Sequence, residues 1–371
     1  MVLKRGWGSA ATRFFKKDIV LSASLVLAVL SCLAVPPDRE YLGYIDFETL
    51  ILLLCLMLIV EGLRGQGLFQ LAGGQLLRRV KSGRGIAFVL VFLCFFSSMF
   101  ITNDVALITF VPFGIMILEM AGLSDELCYV VVLMTIAANL GSMLTPVGNP
   151  QNLYLFSLSG MGLAQFLELM LPYTAASAVL LAVCILFGCR QPAHEVSLGQ
   201  PRKPEKGPVA LYAALFVLCL LTVAGVLPHA ALLAVVVAGV LLADRRLFAR
   251  ADYSLLLTFV FFFVFTGNLN RIDSVRGLMV SLLEGHEKTV SILSSQVISN
   301  VPAAMLLSGY TDNIPQLIIG TNIGGLGTLI ASMASLISYK QVAGRYPQRR
   351  QRYLLIFTVF NLLFLIPLWL L

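Results

Sequence analysis

Two polar motifs stand inside strongly apolar stretches, and their side chains carry atoms that bind ions. "SSMFITNDVALI" contains Thr102, Asn103 and Asp104, and "SSQVISNVPAAM" contains Ser299 and Asn300. Burying such groups in hydrocarbon costs several kcal/mol unless partners, ions or a cavity compensate them. Together the motifs predict a site for a small ion or molecule within the membrane.

The two motifs align with each other, so that Thr102 matches Ser299 and Asn103 matches Asn300. Downstream, "ANLGSMLTPVGNPQN" aligns with "TNIGGLGTLIASMAS", and the matched pairs are Asn139 with Asn322, Gly141 with Gly324 and Thr145 with Thr328. Two short matches in the same order indicate an internal duplication.

Each downstream segment is predicted to break a membrane helix. In "LTPVGNPQN", Pro146, Gly148 and Pro150 lie within five residues, and proline removes backbone donors while glycine is conformationally permissive. The helix that starts near Glu126 should therefore end here, and "NIGGLGT" should have the same effect in the second half. Freed carbonyls suit a sodium ion, and a new helix N-terminus suits an anion.

These four elements contain the predicted substrate- and ion-binding residues: Thr102, Asn103, Asp104, Asn139, Gly141, Thr145, Gly148, Asn149, Ser299, Asn300, Asn322, Gly324 and Thr328. A sodium ion is expected at Asn103, Asn139, Gly141, Asn300, Asn322 and Gly324. Asp104 is their only ionisable residue, since Val301 has the matching place, so it is predicted to carry a proton, bind a cation or contact the transported species. A single Asn or Thr in a membrane helix usually serves packing, but repetition in both halves favours a functional role.

The whole chain is predicted to be an all-α polytopic membrane protein, because 58% of its residues are hydrophobic and only 12% are charged. No water-soluble domain is left over between the apolar stretches, which include Ile19–Val35, Leu169–Phe187, Val209–Leu227, Ala230–Ala243 and Tyr353–Leu371. The net charge is +7, but the basic residues lie in short loops between the apolar stretches, which argues against a nucleic-acid-binding protein. The seven cysteines lack CxxC spacing and predict neither disulfides nor zinc.

The predicted N-terminal repeat comprises residues 1–188, with a hairpin at 86–118 and a broken helix at 126–160. A cytoplasmic linker follows at 189–208. The predicted C-terminal repeat comprises residues 209–371, with a hairpin at 289–310 and a broken helix at 314–340. If both hairpins are re-entrant, the inner loops hold every lysine and arginine except Arg39, Arg271, Arg276 and Lys288. The repeats are then inverted, which is typical of secondary transporters. The N-terminus is expected in the cytoplasm, the first helix uncleaved, and the C-terminus in the periplasm.

Other polar residues have simpler explanations. Glu61 and Arg64 are expected to snorkel or to pair with each other at an inner helix end. Asn268 and Asn270 close the span before the second hairpin, and helix capping is one explanation for them. The chain has no nucleotide-binding loop, no HExxH and no Gly-x-Ser-x-Gly, so neither an enzyme nor an ATP-driven pump is predicted.

At "TNDVALITFVP", "NLGSMLTPVGNPQN" and "ISNVPAAM" the chain resembles the ion transporter superfamily. That superfamily includes arsenite permeases, D-type sodium/proton antiporters, citrate transporters and divalent anion/sodium symporters, and the chain is most similar to its poorly characterised bacterial anion permeases. The resemblance implies a homodimer whose mobile transport region moves against a scaffold, as in an elevator. The symporter tips carry Ser-Asn-Thr, whereas Asp104 and Val301 replace the Thr here, so the Asn-Asp pair is more similar to the arsenite permease branch.

The sequence therefore predicts a secondary active transporter of the bacterial inner membrane, which moves a small anion or oxyanion by alternating access. A sodium ion or a proton would be the coupling ion, without a further cofactor. Two alternatives stay open: a cation/proton antiporter with Asp104 as the exchanged carboxylate, and a channel or receptor with a static pore.

Overall fold

The protein is all-helical in the computed structural model, which describes residues 19–77, 80, 82–194 and 204–371. Helices α1 to α9 are Ile19–Ala34, Tyr41–Tyr44, Phe47–Gly65, Leu68–Leu77, Gly83–Ser97, Asn103–Met120, Leu127–Ser142, Pro150–Ser159 and Leu163–Gly188. Helices α10 to α18 are Lys206–Val223, His229–Asp244, Tyr253–Asn270, Asp273–Leu283, Glu287–Ile298, Asn300–Leu307, Ile314–Gly324, Met333–Arg345 and Arg350–Leu370. Short 3₁₀ turns connect several of them.

Length and composition allow six of the described helices to cross a membrane: those that include α6, α7, α9, α10, α12 and α18. Helices α1 and α5 are equally apolar but shorter. Large apolar side chains point away from the protein, for example Leu33 at 79% and Leu242 at 89% exposure. Lipid covers such side chains in a membrane, so the chain is a multi-pass membrane protein.

Helix α7 forms the centre of the molecule, since every one of its residues except Tyr129 is buried. It packs against the hairpin helices α5 and α6, against α9, and also against α17 and α18 from the second half. A helix that is apolar and buried on all sides needs protein neighbours throughout its length. Both halves of the chain therefore share one core.

The same order of elements occurs in both halves. Helices α3 to α9 comprise a long helix, a short helix, a hairpin, an interrupted helix and a final long helix, and α12 to α18 follow the same order. The helices that precede each set pack on the opposite half: α1 on α12, and α10 and α11 on α3.

Polar contacts fix the packing of α1 on α12. Asn268 Nδ2 donates to Ser31 Oγ at 3.0 Å and to Tyr41 Oη at 2.8 Å. At the same end, Arg271 Nη1 lies 2.6 Å from Asp38 Oδ2, and this hydrogen bond lowers the pKa of the Asp38 carboxyl. The expected capping role of Asn268 is thus replaced by a bridge between two helices.

Each hairpin contains two helices joined at a tip. Helices α5 and α6 are joined by residues 98–102, and α14 and α15 are joined by Ser299 alone. Ser299 has φ 74° and ψ 156°, which makes it the one described residue other than glycine with positive φ. This conformation costs a side-chain-bearing residue about 1–3 kcal/mol, so the surrounding contacts must hold it in place.

The predicted linker 189–208 overlaps the start of α10, which begins at Lys206. Residues 195–203 of the linker and the basic N-terminal residues 1–18 lie outside the described residues.

Candidate functional site

Four helices begin around one small cavity between the hairpin tips. The first residues of α6, α8, α15 and α17 all line it, namely Asn103, Pro150, Asn300 and Met333. We call it the tip cavity, and its volume is about 50 Å³. Helix N-termini present unpaired N–H groups and partial positive charge, so their convergence favours a negatively charged ligand.

At the first tip the amide of Asn103 is held on both sides. Its Oδ1 accepts from the backbone N–H of Asp104 at 3.0 Å, and its Nδ2 donates to Asn139 Oδ1 at 2.9 Å. Asn103 is only 5% exposed. The first tip is thereby fastened to α7.

At the second tip only the oxygen of the Asn300 side-chain amide has a hydrogen-bond partner in the described chain. Its Oδ1 accepts from the backbone N–H of Val301 at 3.0 Å, which repeats the contact at the first tip. Its backbone N–H donates to the carbonyl of Ala331 at 3.0 Å. Asn300 is also 5% exposed, yet within residues 19–77, 82–194 and 204–371 no group accepts a hydrogen bond from its Nδ2. Asn300 lines the tip cavity, and its Nδ2 lies beside Gly325.

The two interrupted helices cross, and each contacts the start of the other's second segment. Asn139 in α7 accepts from Ser332 Oγ at 3.1 Å and donates to Ser335 Oγ at 3.4 Å, both at the start of α17. Asn322 in α16 accepts from Asn149 Nδ2 at 3.0 Å and donates to Asn152 Oδ1 at 2.5 Å, both at the start of α8. The matched asparagines therefore make reciprocal contacts between the halves.

Matched residues also fasten each interrupted helix to its own hairpin. Thr145 Oγ1 donates to the carbonyl of Met99, and Thr328 Oγ1 donates to the matching carbonyl of Gln296 at 3.0 Å. The matched glycines are equally placed, because a Cβ on Gly141 or on Gly324 would lie 2.7 Å from the hydroxyl of the matched serine, Ser98 or Ser295. Glycine is needed here for close helix contact.

The predicted site residues separate into two groups. Asn103, Asp104, Ser299 and Asn300 line the tip cavity, and Thr102 and Asn149 line a second cavity beside it. The others line neither of these two cavities and instead hold the hairpins and interrupted helices together: Asn139, Gly141, Thr145, Gly148, Asn322, Gly324 and Thr328. Gly148, for example, packs closely on the carbonyl of Ser142.

The second cavity, of about 170 Å³, leads away from the tips towards charged residues. It shares Asp104, Pro150 and Asp252 with the tip cavity and ends at Glu61, Arg64 and Arg250. We call it the Arg64 vestibule. Arg64 Nη1 lies 3.0 Å from Glu61 Oε2, as the sequence predicted. The tip cavity is thus reached from the end of the molecule that contains Arg64.

A third cavity, of about 320 Å³, lies at the opposite end of α12 and is lined by Asp46 and Asn270. We call it the Asp46 cavity. On the wall of this cavity the Tyr154 ring lies 6.3 Å from that of Phe259 and 5.6 Å from that of Phe263. The hydroxyls of Tyr154 and Ser308 are 2.9 Å apart. Tyr154, Phe263 and Ser308 line the Asp46 cavity, and none of them lines the tip cavity.

Four polar residues of the tip cavity were missed by sequence reasoning: Gln151, Asp252, Thr258 and Ser332. Asp252 caps α12, since its Oδ1 accepts from the backbone N–H of Leu255 at 3.2 Å. An acidic residue directly before an apolar stretch is the available sequence signal. Ser332 directly precedes α17 and belonged to the aligned segment.

Buried polar tips, interrupted helices and a central cavity define a membrane transporter. Residues 10–334 match the family model described as citrate transporter, and the chain belongs to this family.

Several relatives cover nearly the whole chain. The inner membrane protein YbiR of Escherichia coli is 31% identical over 90% of this chain and 88% of its own length. The uncharacterized transporter MJ0456 of Methanocaldococcus jannaschii is 32% identical over 94% of both chains. The putative transporter arsB of Dictyostelium discoideum gives a shorter match, which is 31% identical over 35% of this chain and 23% of that relative. The chain is thus similar to inner-membrane and arsB-like transporters, in agreement with the superfamily resemblance.

Proposed function

We propose that the protein is a secondary active transporter that moves a small anion or oxyanion across the inner membrane by alternating access. A sodium ion or a proton supplies the energy through its gradient. The tip cavity is the binding site in this proposal, and the Arg64 vestibule is its route to the cytoplasm.

The convergence of four helix N-termini on the tip cavity carries the proposal. The starts of α6, α8, α15 and α17 would direct the positive ends of their helix dipoles at an anion, and the Nδ2 of Asn300 would add a side-chain donor. Broken helices that present these ends at the bilayer midplane are a recurring feature of secondary transporters. A volume of about 50 Å³ suits a small anion and not a large organic one.

Alternating access is supported by the cavities at both ends of α12. The tip cavity shares lining residues with the Arg64 vestibule but none with the Asp46 cavity, whose wall includes Tyr154 and Phe263. In the proposed cycle the hairpins and interrupted helices move as one body, because their matched contacts fasten them together. Movement past α12 would then open the tip cavity to the other side. The proposal includes inverted repeats, a homodimer and a cytoplasmic N-terminus.

Transport by the purified protein in liposomes tests the proposal. Uptake of a labelled anion should depend on an imposed sodium or pH gradient, saturate, and show counterflow with an unlabelled pool. A panel of arsenite, phosphate, sulfate, chloride and small carboxylates identifies the substrate. Flux that neither saturates nor shows counterflow would indicate a static pore instead.

A cation/proton antiporter is the second candidate, because two carboxylates, Asp104 and Asp252, line the tip cavity. Such a protein would exchange cations at this site and would need no anion. Vesicles loaded with a pH-sensitive dye separate the two candidates. An antiporter moves protons when sodium alone is added, and an anion transporter does so only when its anion is present.

A further inference from the structure

We infer that Gln151 binds the transported anion directly and makes the site select small oxyanions that carry a hydroxyl group. The inference rests on the proposed function, because it concerns the chemical class of the substrate. Gln151 is the second residue of α8 and lines the tip cavity, but it is not among the binding residues that the sequence pattern predicted.

The side-chain amide of Gln151 is buried without a protein partner, which is the first reason. Gln151 is only 2% exposed, and within the described residues neither its Oε1 nor its Nε2 has a hydrogen-bond partner. Protein atoms do not seal off either amide atom, and the cavity that Gln151 lines is the tip cavity. Buried amides are nearly always paired, so an unpaired one on a cavity wall indicates a group that a ligand completes.

The contrast with its two neighbours in the motif "NPQN" is the second reason. Asn149 Oδ1 accepts from the backbone N–H of Asn152 at 2.9 Å, and Asn149 Nδ2 donates to Asn322 Oδ1 at 3.0 Å. Asn152 Nδ2 donates to the carbonyls of Met143 and Thr145, both at 3.3 Å. Both asparagine amides therefore hold the interrupted helices together, whereas the glutamine amide between them makes no such contact.

The matched segment of the second half is the third reason, because it forms the same contacts without this amide. The alignment places the two asparagines of "NPQN" opposite Ser332 and Ser335, and both pairs contact the asparagine of the opposite interrupted helix. It places Gln151 opposite Ala334, which is fully buried and ends in a methyl group. A residue without polar side-chain atoms thus fills the equivalent position, so packing alone does not require an amide there.

The chemistry of an amide defines the ligand that it recognises. A carboxamide presents an N–H donor beside a carbonyl acceptor, and the complementary ligand has an oxygen acceptor beside an O–H donor. Bicarbonate and the hydrogen-carrying forms of phosphate have both groups. Nitrate, sulfate and chloride have acceptors only, so they would leave the Oε1 of Gln151 buried without a partner.

The two features of the tip cavity then have separate roles in recognition. The helix ends that converge on it attract negative charge of any kind, and they do not distinguish one small anion from another. Gln151 adds the requirement for a hydroxyl. A volume of about 50 Å³ admits only a small member of this class.

Two matched pairs of anions test the inference on the full-length protein in detergent. Bicarbonate and nitrate are both planar monoanions, and phosphate and sulfate are both tetrahedral, but only the first member of each pair carries a hydroxyl at neutral pH. The melting temperature is measured against the concentration of each sodium salt, with sodium chloride keeping the ionic strength constant. In at least one pair the hydroxyl-carrying anion should raise the wild-type melting temperature with an affinity about tenfold or more above that of its partner.

Gln151→Met removes both polar atoms of the amide and keeps the length of the side chain. It should weaken the binding of the hydroxyl-carrying anion by about tenfold or more, so that the two anions of the pair bind alike. Without these anions the variant should melt at or above the wild-type temperature, because it loses no hydrogen bond within the protein and no longer buries an unpaired amide. A purely structural glutamine would give a lower melting temperature instead.

Gln341→Met is the matched control. Gln341 Nε2 lies 3.5 Å from the carbonyl oxygen of Leu107, and Gln341 lines neither the tip cavity nor the Arg64 vestibule. The same chemical change at this position should leave the preference within each pair of anions as it is in the wild type.

Three outcomes would overturn the inference: a wild type that prefers the hydroxyl-carrying anion in neither pair, an unchanged preference in Gln151→Met, or an equal loss in Gln341→Met. Uptake of the same anions into liposomes judges the proposed function separately. Gradient-driven uptake that is the same in the wild type and in Gln151→Met disproves the inference and leaves the proposed function standing. Hydroxyl-selective binding that depends on Gln151, without uptake, has the opposite meaning.

Discussion

The two hairpin tips have the same backbone contact but differ in what surrounds it. At each tip an asparagine Oδ1 accepts from the next backbone N–H at 3.0 Å. The first tip then adds the charge of Asp104 and fastens Asn103 to Asn139, whereas the second has Val301 and leaves Asn300 Nδ2 without a partner in the described chain.

This difference separates two tasks that a coupled transporter must perform at one site. The shared contact sets the direction of each asparagine and of the helix that begins there. In the proposed transporter, the first tip with Asp104 would bind the coupling ion, and the second tip with Asn300 would bind the anion. Two tips with the same backbone contact would then differ in their ligands because of single differences in sequence.

The largest effect is expected from Asn103→Ala and Asn300→Ala, each of which should abolish measurable transport without preventing membrane insertion. For Asn300 the loss of a buried donor to an anion costs about 1–3 kcal/mol, or roughly 5- to 150-fold in affinity. For Asn103 the first tip also loses its bond to Asn139. Uptake in liposomes and membrane-fraction immunoblots are the measurements.

The same two variants should differ in stability. Asn103→Ala also removes the bond to Asn139 and should melt at a lower temperature, while Asn300→Ala should melt close to the wild type. Equal melting temperatures would show that the two amides are held alike, and normal transport by both variants would remove the tips from the binding site.

Asp104→Asn should abolish dependence on the coupling ion, while Val301→Asn should retain it. Both changes place the same amide at matched positions, so only the loss of the carboxylate distinguishes them. The measurement is the melting temperature in sodium against choline chloride from pH 5.5 to 8, with and without anions. A sodium response that survives in Asp104→Asn would contradict the asymmetry between the tips.

Gly141→Ala and Gly324→Ala should each destabilise the protein, and the first more than the second. A Cβ on Gly141 would lie far inside van der Waals contact with the carbonyl of Phe95, which cannot move alone, whereas the nearest obstacle to one on Gly324 is the hydroxyl of Ser295 at 2.7 Å. Overpacking costs about 1–3 kcal/mol. Gly277→Ala is the control, since its Cβ would meet nothing within 4 Å.

The smallest effect is expected from Ser299→Gly, which should raise the melting temperature by relieving the positive φ, with a gain of about 1 kcal/mol. Thr102→Gly, at the matched position of the first tip, should lower the melting temperature. Thr102 has an ordinary φ of −58°, so glycine relieves no strain there and only increases the conformational entropy of the unfolded chain. A loss of stability in Ser299→Gly would mean that its hydroxyl contacts outweigh the strain.

The interruptions and tips could be predicted because local chemistry causes them. Pro146, Gly148 and Pro150 prevent a continuous helix whatever the neighbours are, and α7 indeed ends at Ser142 before α8 begins at Pro150. Alignment of the two halves of the sequence also identified residues that make equivalent contacts, such as Thr145 and Thr328, whose hydroxyls donate to matching hairpin carbonyls.

The remaining features depend on contacts between distant segments. Asn139 meets Ser332, and Asn322 meets Asn149, only because the two interrupted helices cross, and no local pattern encodes that crossing. Asp252 reaches the tip cavity because α12 packs beside the tips. The sequence therefore predicted polar residues in the right elements, but it did not separate those that line a cavity from those that fasten helices.

Helix α15 borders both the tip cavity and the Asp46 cavity. Its first residues, Asn300 to Pro302, line the tip cavity, and Met305 lines the Asp46 cavity. Eight helical residues span about 12 Å, against about 30 Å for the hydrocarbon core of a bilayer. Where aqueous cavities approach from both faces, the membrane voltage falls mainly across the partition between them. In the proposed transporter the electric field would be concentrated on the second hairpin, so that a displacement of a few ångströms there would move an ion through much of the transmembrane potential.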